Sequence, residues 1–134
     1  VTGWNVILGL KIAVLIVTAI LLSSFIPLIQ GNYRLHGRIN MGFFALTGMS
    51  LLLLEYLAHV YDPQMFDYFD ANTHSALRVH LCFALPAVVM LPLMLITGLS
   101  HRRRMHLLLA GIFAVLWIGT VFTGLFRLPH SPAG

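Results

Sequence analysis

Four stretches of this chain, each more than twenty residues long and nearly free of charge, are separated by short polar links. A run of that length matches the ~20 residues a helix needs to cross hydrocarbon and is far beyond the roughly ten residues of a barrel strand. Lipid leaves backbone polar groups no partner but each other, so the runs must be helices that satisfy themselves internally. The expected class is all-α, an integral membrane four-helix up-and-down bundle. A single transmembrane domain over residues 1–134 is expected, with spans at about 4–30, 39–61, 76–99 and 105–126. Composition agrees: 59% of residues are hydrophobic and only 9% charged, with a mean hydropathy of +0.90.

The first run carries Lys11 as its one charge and Pro27 near its far end. It is too long for the apolar core of a signal sequence and lacks a small-residue cleavage site, so it reads as a retained span, and a chain beginning at Val1 leaves room for residues upstream. The third run contains Pro86 and Pro92, which free backbone carbonyls and are expected to kink it. Cys82, the single cysteine, lies inside that run and reads as a small apolar packing residue. No phosphate loop, HExxH or CxxC occurs, so the common catalytic signatures are absent.

Orientation follows from the cations, because cytoplasmic loops retain Lys and Arg. Arg34 and Arg38 fall in the first link, and Arg102, Arg103 and Arg104 in the third. The second link carries Asp62, Asp67 and Asp70 against Arg78. Loops 31–38 and 100–104 are therefore expected in the cytoplasm, with both termini and loop 62–75 outside, as in a bacterial inner membrane. The net charge of +4 is then a topology signal and a match to lipid headgroups, with no nucleic-acid partner implied.

Histidines recur where the apolar runs begin or end. His36 and His106 fall at the cytoplasmic end, and His59 and His80 at the outer end. His36 and His59 are 23 residues apart, which is ~34 Å along a helix, so they cannot share one ligand. Their azimuths differ by roughly 140° at 100° per residue, so they face different neighbours. His36 can meet His106, and His59 can meet His80. Such pairs on different helices are how b-type haem is commonly held, the iron lying between two imidazoles. Gly42, Gly48, Gly111 and Gly119 would give a porphyrin close approach. Phe43, Phe44, Phe113 and Trp117 would pack it, and Arg34, Arg38 and the triple arginine would pair with its propionates.

Two other readings stay open. The histidines can be interfacial residues with wet tips, the plain assignment for His74, His101 and His130. Alternatively Glu55, one turn before His59 on the same face, can join His59 and His80 in a non-haem Cu, Fe or Zn site, unless it pairs with Lys11.

The segments NYRLHGRINM, LLLEYLAHVY, RVHLCFALP and HRRRMHLLLAGIFAVLWIGTVFTG together resemble a family of small four-helix bacterial membrane proteins of unknown function, whose genes often lie near those of cytochrome oxidase. The matching positions are His36, His59, His80, His106, Trp117, Thr123 and Gly124, and the resemblance covers about Asn32 to Phe126. More distantly the four-histidine layout is similar to cytochrome b561 and to half of haem A synthase. The resemblance implies a redox or cofactor-handling role in a respiratory membrane. The leading expectation is a b-type cytochrome subunit with one or two haems, passing electrons to quinone or to other membrane subunits. A non-catalytic accessory or assembly subunit is the alternative. Either way the chain reads as an electron-transfer or accessory subunit more than an independent enzyme.

Overall fold

The computed structural model describes residues 3–67 and 69–129. Among them every regular element is helical: α1 (Gly3–Ser23), α2 (Phe25–Ile29), α3 (Tyr33–Tyr56), α4 (Ala71–Leu99) and α5 (Arg103–Phe122). Two π-helical turns, Leu57–Tyr61 and Thr123–Arg127, extend α3 and α5. The all-α, four-crossing class expected from the sequence is what forms. Gly3–Ile29, Tyr33–Tyr61, Ala71–Leu99 and Arg103–Arg127 are each long and apolar enough to cross a membrane. Large apolar side chains such as Leu52, Ile29 and Phe126 stand exposed while Ser24, Thr47 and Thr120 are buried. So many large apolar side chains on the surface suit a hydrocarbon solvent.

The helices begin earlier than hydropathy suggests. α3 starts at Tyr33 instead of residue 39 because Asn32 caps it, its side chain accepting from the Leu35 amide at 3.2 Å. α4 starts at Ala71 instead of residue 76 because the Asp70 carboxylate accepts from the Thr73 amide at 2.8 Å. Hydropathy marks the part of a helix that sits in lipid; the caps mark the helix.

Packing divides the chain into two compact units, one reaching from the N-terminal residues to His74 and taking up Pro129, the other Ser75–Leu128. In the first unit, α1 gives way to α2 at Ser24. Pro27 has no N–H and its ring crowds the carbonyl four residues back. The Ser23 and Ser24 hydroxyls donate to the Ile20 and Leu21 carbonyls at 2.7 and 2.6 Å, which loosens the same turn. The chain then reverses through Gly31, whose φ of 79° is the left-handed conformation glycine tolerates. Gly31 N–H donates to Leu28 O and Asn32 N–H to Pro27 O, the Schellman pattern that closes a helix. At the far end Trp4 packs on Phe69 with centroids 4.4 Å apart. There Gly3 lies so close to the chain that a methyl would come within 2.8 Å of the Met65 carbonyl.

In the second unit, α4 runs unbroken through Pro86 and Pro92. It reverses through His101, which holds a φ of 58° without being glycine. α5 returns antiparallel to α4: Gly98 faces His106, Phe83 faces Gly119 and His80 faces Gly124. The positions in each pair sum to nearly the same value, so one register holds along the whole hairpin.

Candidate functional site

The four histidines are built into their hairpins in one recurring way: the Nδ1 side of each ring is held on an oxygen. His36, on the first turn of α3, points Nδ1 at the Ser24 carbonyl, 2.8 Å away. A carbonyl can only accept, so Nδ1 carries the proton and the Nε2 lone pair faces the Asn40 amide, which donates to it at 3.1 Å. His106, on the first turn of α5, lies 3.0 Å through Nδ1 from the Met94 carbonyl and 3.3 Å from Thr97 Oγ1. Thr97 commits its own proton to the Leu93 and Met94 carbonyls at 2.9 and 3.0 Å, so toward His106 it too accepts.

His80 shows the same logic through a hydroxyl. Its Nδ1 is 2.9 Å from Thr123 Oγ1, and Thr123 donates its proton to the Gly119 carbonyl at 2.7 Å. His80 must then be the donor. His59 is the loosest, with Nδ1 3.2 Å from both the backbone carbonyl and the Oε2 of Glu55, and its side chain is 70% exposed. The partner the structure shows for Glu55 is therefore its own helical neighbour.

Space for two of these rings comes from glycine. A methyl at Gly124 would sit 3.0 Å from His80 Cε1, and one at Gly98 would sit 3.2 Å from His106 Cε1. Two imidazoles of the second unit thus rest against a Thr-Gly pair on the opposing helix, His106 against Thr97-Gly98 and His80 against Thr123-Gly124. The latter pair lies in a π-helical turn, as does His59. Such turns displace side chains from the regular helical stripe and are frequent at functional sites.

Of the residues singled out from sequence, His36, His59, Glu55, Arg34 and Arg38 lie in the first unit, and His80 and His106 in the second. Arg34 and Arg38 stand exposed near the start of α3. Phe43, Phe113 and Trp117 are buried, the last two stacked with centroids 5.6 Å apart. Of the four glycines expected to admit a porphyrin, Gly42, Gly48 and Gly111 have nothing within 4 Å of a would-be Cβ, and Gly119 instead receives the ring of Phe83. His74 packs on Phe69 with centroids 6.1 Å apart, and His101 makes the second turn. His130 lies outside the described residues. Among the described residues no three His, Cys, Asp or Glu side chains gather closely enough to hold a metal ion.

Sequence reasoning missed Asn40, the Met94 carbonyl and Thr97. The one signal available was the Thr-Gly dipeptide, which occurs near the end of both the third and the fourth run. Outside the spans, hydrogen bonds from the Thr73 side chain and then its amide hold the Asp70 carboxyl below the usual aspartate range. No family model, curated protein or solved structure matches this chain.

Proposed function

We propose that this integral membrane protein is a b-type haem electron-transfer subunit of a respiratory or other redox complex. His36 and His106 would be ligands near one membrane face, and His59 and His80 near the other. The observation that carries the reading is the shared tautomer. An imidazole whose Nδ1–H is fixed on a carbonyl or hydroxyl keeps its lone pair on Nε2 and its ring held in orientation, the second-shell arrangement typical of metal-ligating histidine. The residues fit the group in a further respect, because Gly98 and Gly124 make room for imidazoles that any side chain there would displace.

Bound haem would supply a one-electron couple; the chain's own residues orient the imidazoles. Arg34 and Arg38, at the same end of α3 as His36, would meet the propionates. Electrons would pass to or from quinone or a partner subunit. On the positive-inside bias, loops 31–38 and 100–104 would lie in the cytoplasm of a bacterial inner membrane. The resemblance to the family linked with cytochrome oxidase genes, and to cytochrome b561, points the same way.

A visible spectrum of the purified protein tests the reading. A reduced b-type α-band with a positive pyridine haemochrome, lost in the double variant His36→Ala/His106→Ala, is expected. Protein free of porphyrin, however it is expressed, refutes it. A stoichiometric Cu, Fe or Zn ion without porphyrin would favour the non-haem site at Glu55, His59 and His80. Co-purification with a larger complex, with stability indifferent to both alanine substitutions, would favour an accessory subunit.

A further inference from the structure

Positions 70 apart do the same work in the two hairpins. Each hairpin closes on the same bonds: Gly31 and His101 N–H donate to the Leu28 and Gly98 carbonyls at 3.1 and 3.3 Å, and Asn32 and Arg102 N–H to those of Pro27 and Thr97 at 2.7 and 3.0 Å. Gly31 and His101 hold the left-handed conformation at φ 79° and 58°. Asn32 and Arg102 follow at φ −88°, ψ 77° and φ −82°, ψ 76°. Left-handed helix ends are common, so the turn alone would mean little. The agreement runs on past it. Arg34-Leu35-His36 matches Arg104-Met105-His106, and each histidine places Nδ1 on a carbonyl twelve residues upstream, Ser24 at 2.8 Å and Met94 at 3.0 Å. Seven residues after each histidine stands a buried phenylalanine, Phe43 and Phe113.

The far end of each hairpin keeps the pairing and changes the chemistry. In the first, Leu10 lines one cleft with Leu53 and Leu54. Seventy positions on, His80 rests against Thr123-Gly124. One register therefore runs the length of both hairpins, apolar at that end in the first and polar in the second. We infer that the chain is one helical-hairpin module used twice, closed in each copy by its turn histidine acting as a latch. The Nδ1–H bond ties the first turn of the returning helix to a carbonyl of the outgoing stretch, and in a medium without competing water that bond is strong. His80 is then a feature of the second copy alone. The latch occupies only Nδ1, and at Nε2 the copies have diverged: Asn40 donates to that nitrogen of His36 at 3.1 Å, whereas Ala110 stands at the matching place beside His106.

The inference stands apart from the haem reading, and the full chain, free of porphyrin and held in mild detergent, tests it. Asparagine carries an amide N–H as many bonds from the backbone as histidine Nδ1, whereas glutamine carries it one bond further out. His36→Asn and His106→Asn should therefore keep the latch. His36→Gln and His106→Gln should each lower the folded-to-unfolded ratio in a dodecyl sulfate titration about fivefold, the weight of one hydrogen bond. Glutamine variants as stable as the asparagine ones, at either position, overturn the latch. Transplanting the second copy's cradle tests the repeat: in Leu10→His/Leu53→Thr/Leu54→Gly, nitrogen NMR should show the introduced ring as the Nδ1–H tautomer with that proton shielded from exchange. A ring proton that exchanges freely overturns the common frame. Ala110→Asn asks the same question with a single change, and decides alone should the triple variant not fold. It must shift the His106 Nε2 resonance, opposite in sense to the shift that Asn40→Ala causes at His36. An unmoved His106 signal overturns the equivalence of the two hairpins.

Discussion

Replacing Gly119 with alanine tests the register on which both Thr-Gly cradles depend. Gly111, on the same helix, is the natural control because nothing lies within 4 Å of its would-be Cβ. At Gly111 the substitution should stabilise by up to about 1 kcal/mol, the difference in helix propensity between glycine and alanine. At Gly119 the same gain is opposed by collision. The new methyl would stand 2.6 Å from Cγ and 2.7 Å from Cε1 of Phe83, where 3.4–4 Å is ordinary contact. Cγ is anchored next to the backbone, so the ring cannot swing clear without leaving its rotamer or parting the helices. Overpacking of this kind costs roughly 1–3 kcal/mol. Gly119→Ala should therefore range from neutral to about 2 kcal/mol destabilising once that same propensity gain is counted, and should trail Gly111→Ala by roughly 1–3 kcal/mol. Titrating the purified protein in mild detergent with sodium dodecyl sulfate, followed by tryptophan fluorescence, measures both, since Trp117 is buried on the same helix. A Gly119→Ala protein as stable as Gly111→Ala would refute the facing of Phe83 and Gly119, and with it the seating of His80 and His106.

Three further outcomes are expected. Thr123→Val should remove the hydroxyl on His80 Nδ1, weakening the second hairpin by about 1–2 kcal/mol in the same titration, with Thr123→Ser restoring it; equal loss in both variants would contradict the hydrogen bond. His101→Gly should stabilise the second turn by about 1 kcal/mol, because the left-handed conformation penalises a side chain there, and a loss of stability would contradict that geometry. Asp70 has a depressed carboxyl pKa, so its hold on the start of α4 is complete at neutral pH and fades only as pH falls below the ordinary aspartate value near 4. Protection of the Thr73 amide, measured against its intrinsic exchange rate at each pH, should fall over that window, and Asp70→Ala should show little protection at any pH.

The helical class and the four crossings were legible because length and hydropathy act over twenty residues at a time and no local detail can override them. Helix starts were not, because Arg34, His36 and Arg38 read as a loop to a hydropathy window while Asn32 caps a helix straight through them. The histidines stood out for their chemistry, but their anchors did not. Ser24 becomes an acceptor for His36 only after Pro27 has turned the chain, and Thr97 becomes one for His106 only once α4 and α5 are in register. The turn at His101 was hidden because glycine or asparagine is the usual sign of a left-handed residue. Its equivalence to Gly31 emerges from matching dihedrals, with little shared sequence around it.

The turns at Gly31 and His101 leave almost no slack between the crossings they join. During synthesis neither crossing of a hairpin can settle across the bilayer long before its partner, so the chain must be threaded as two successive pairs. Cutting it after one crossing or three would strand an arginine-bearing turn without its return strand of lipid-soluble chain, whereas a cut near residue 70 would leave each half with a complete there-and-back path.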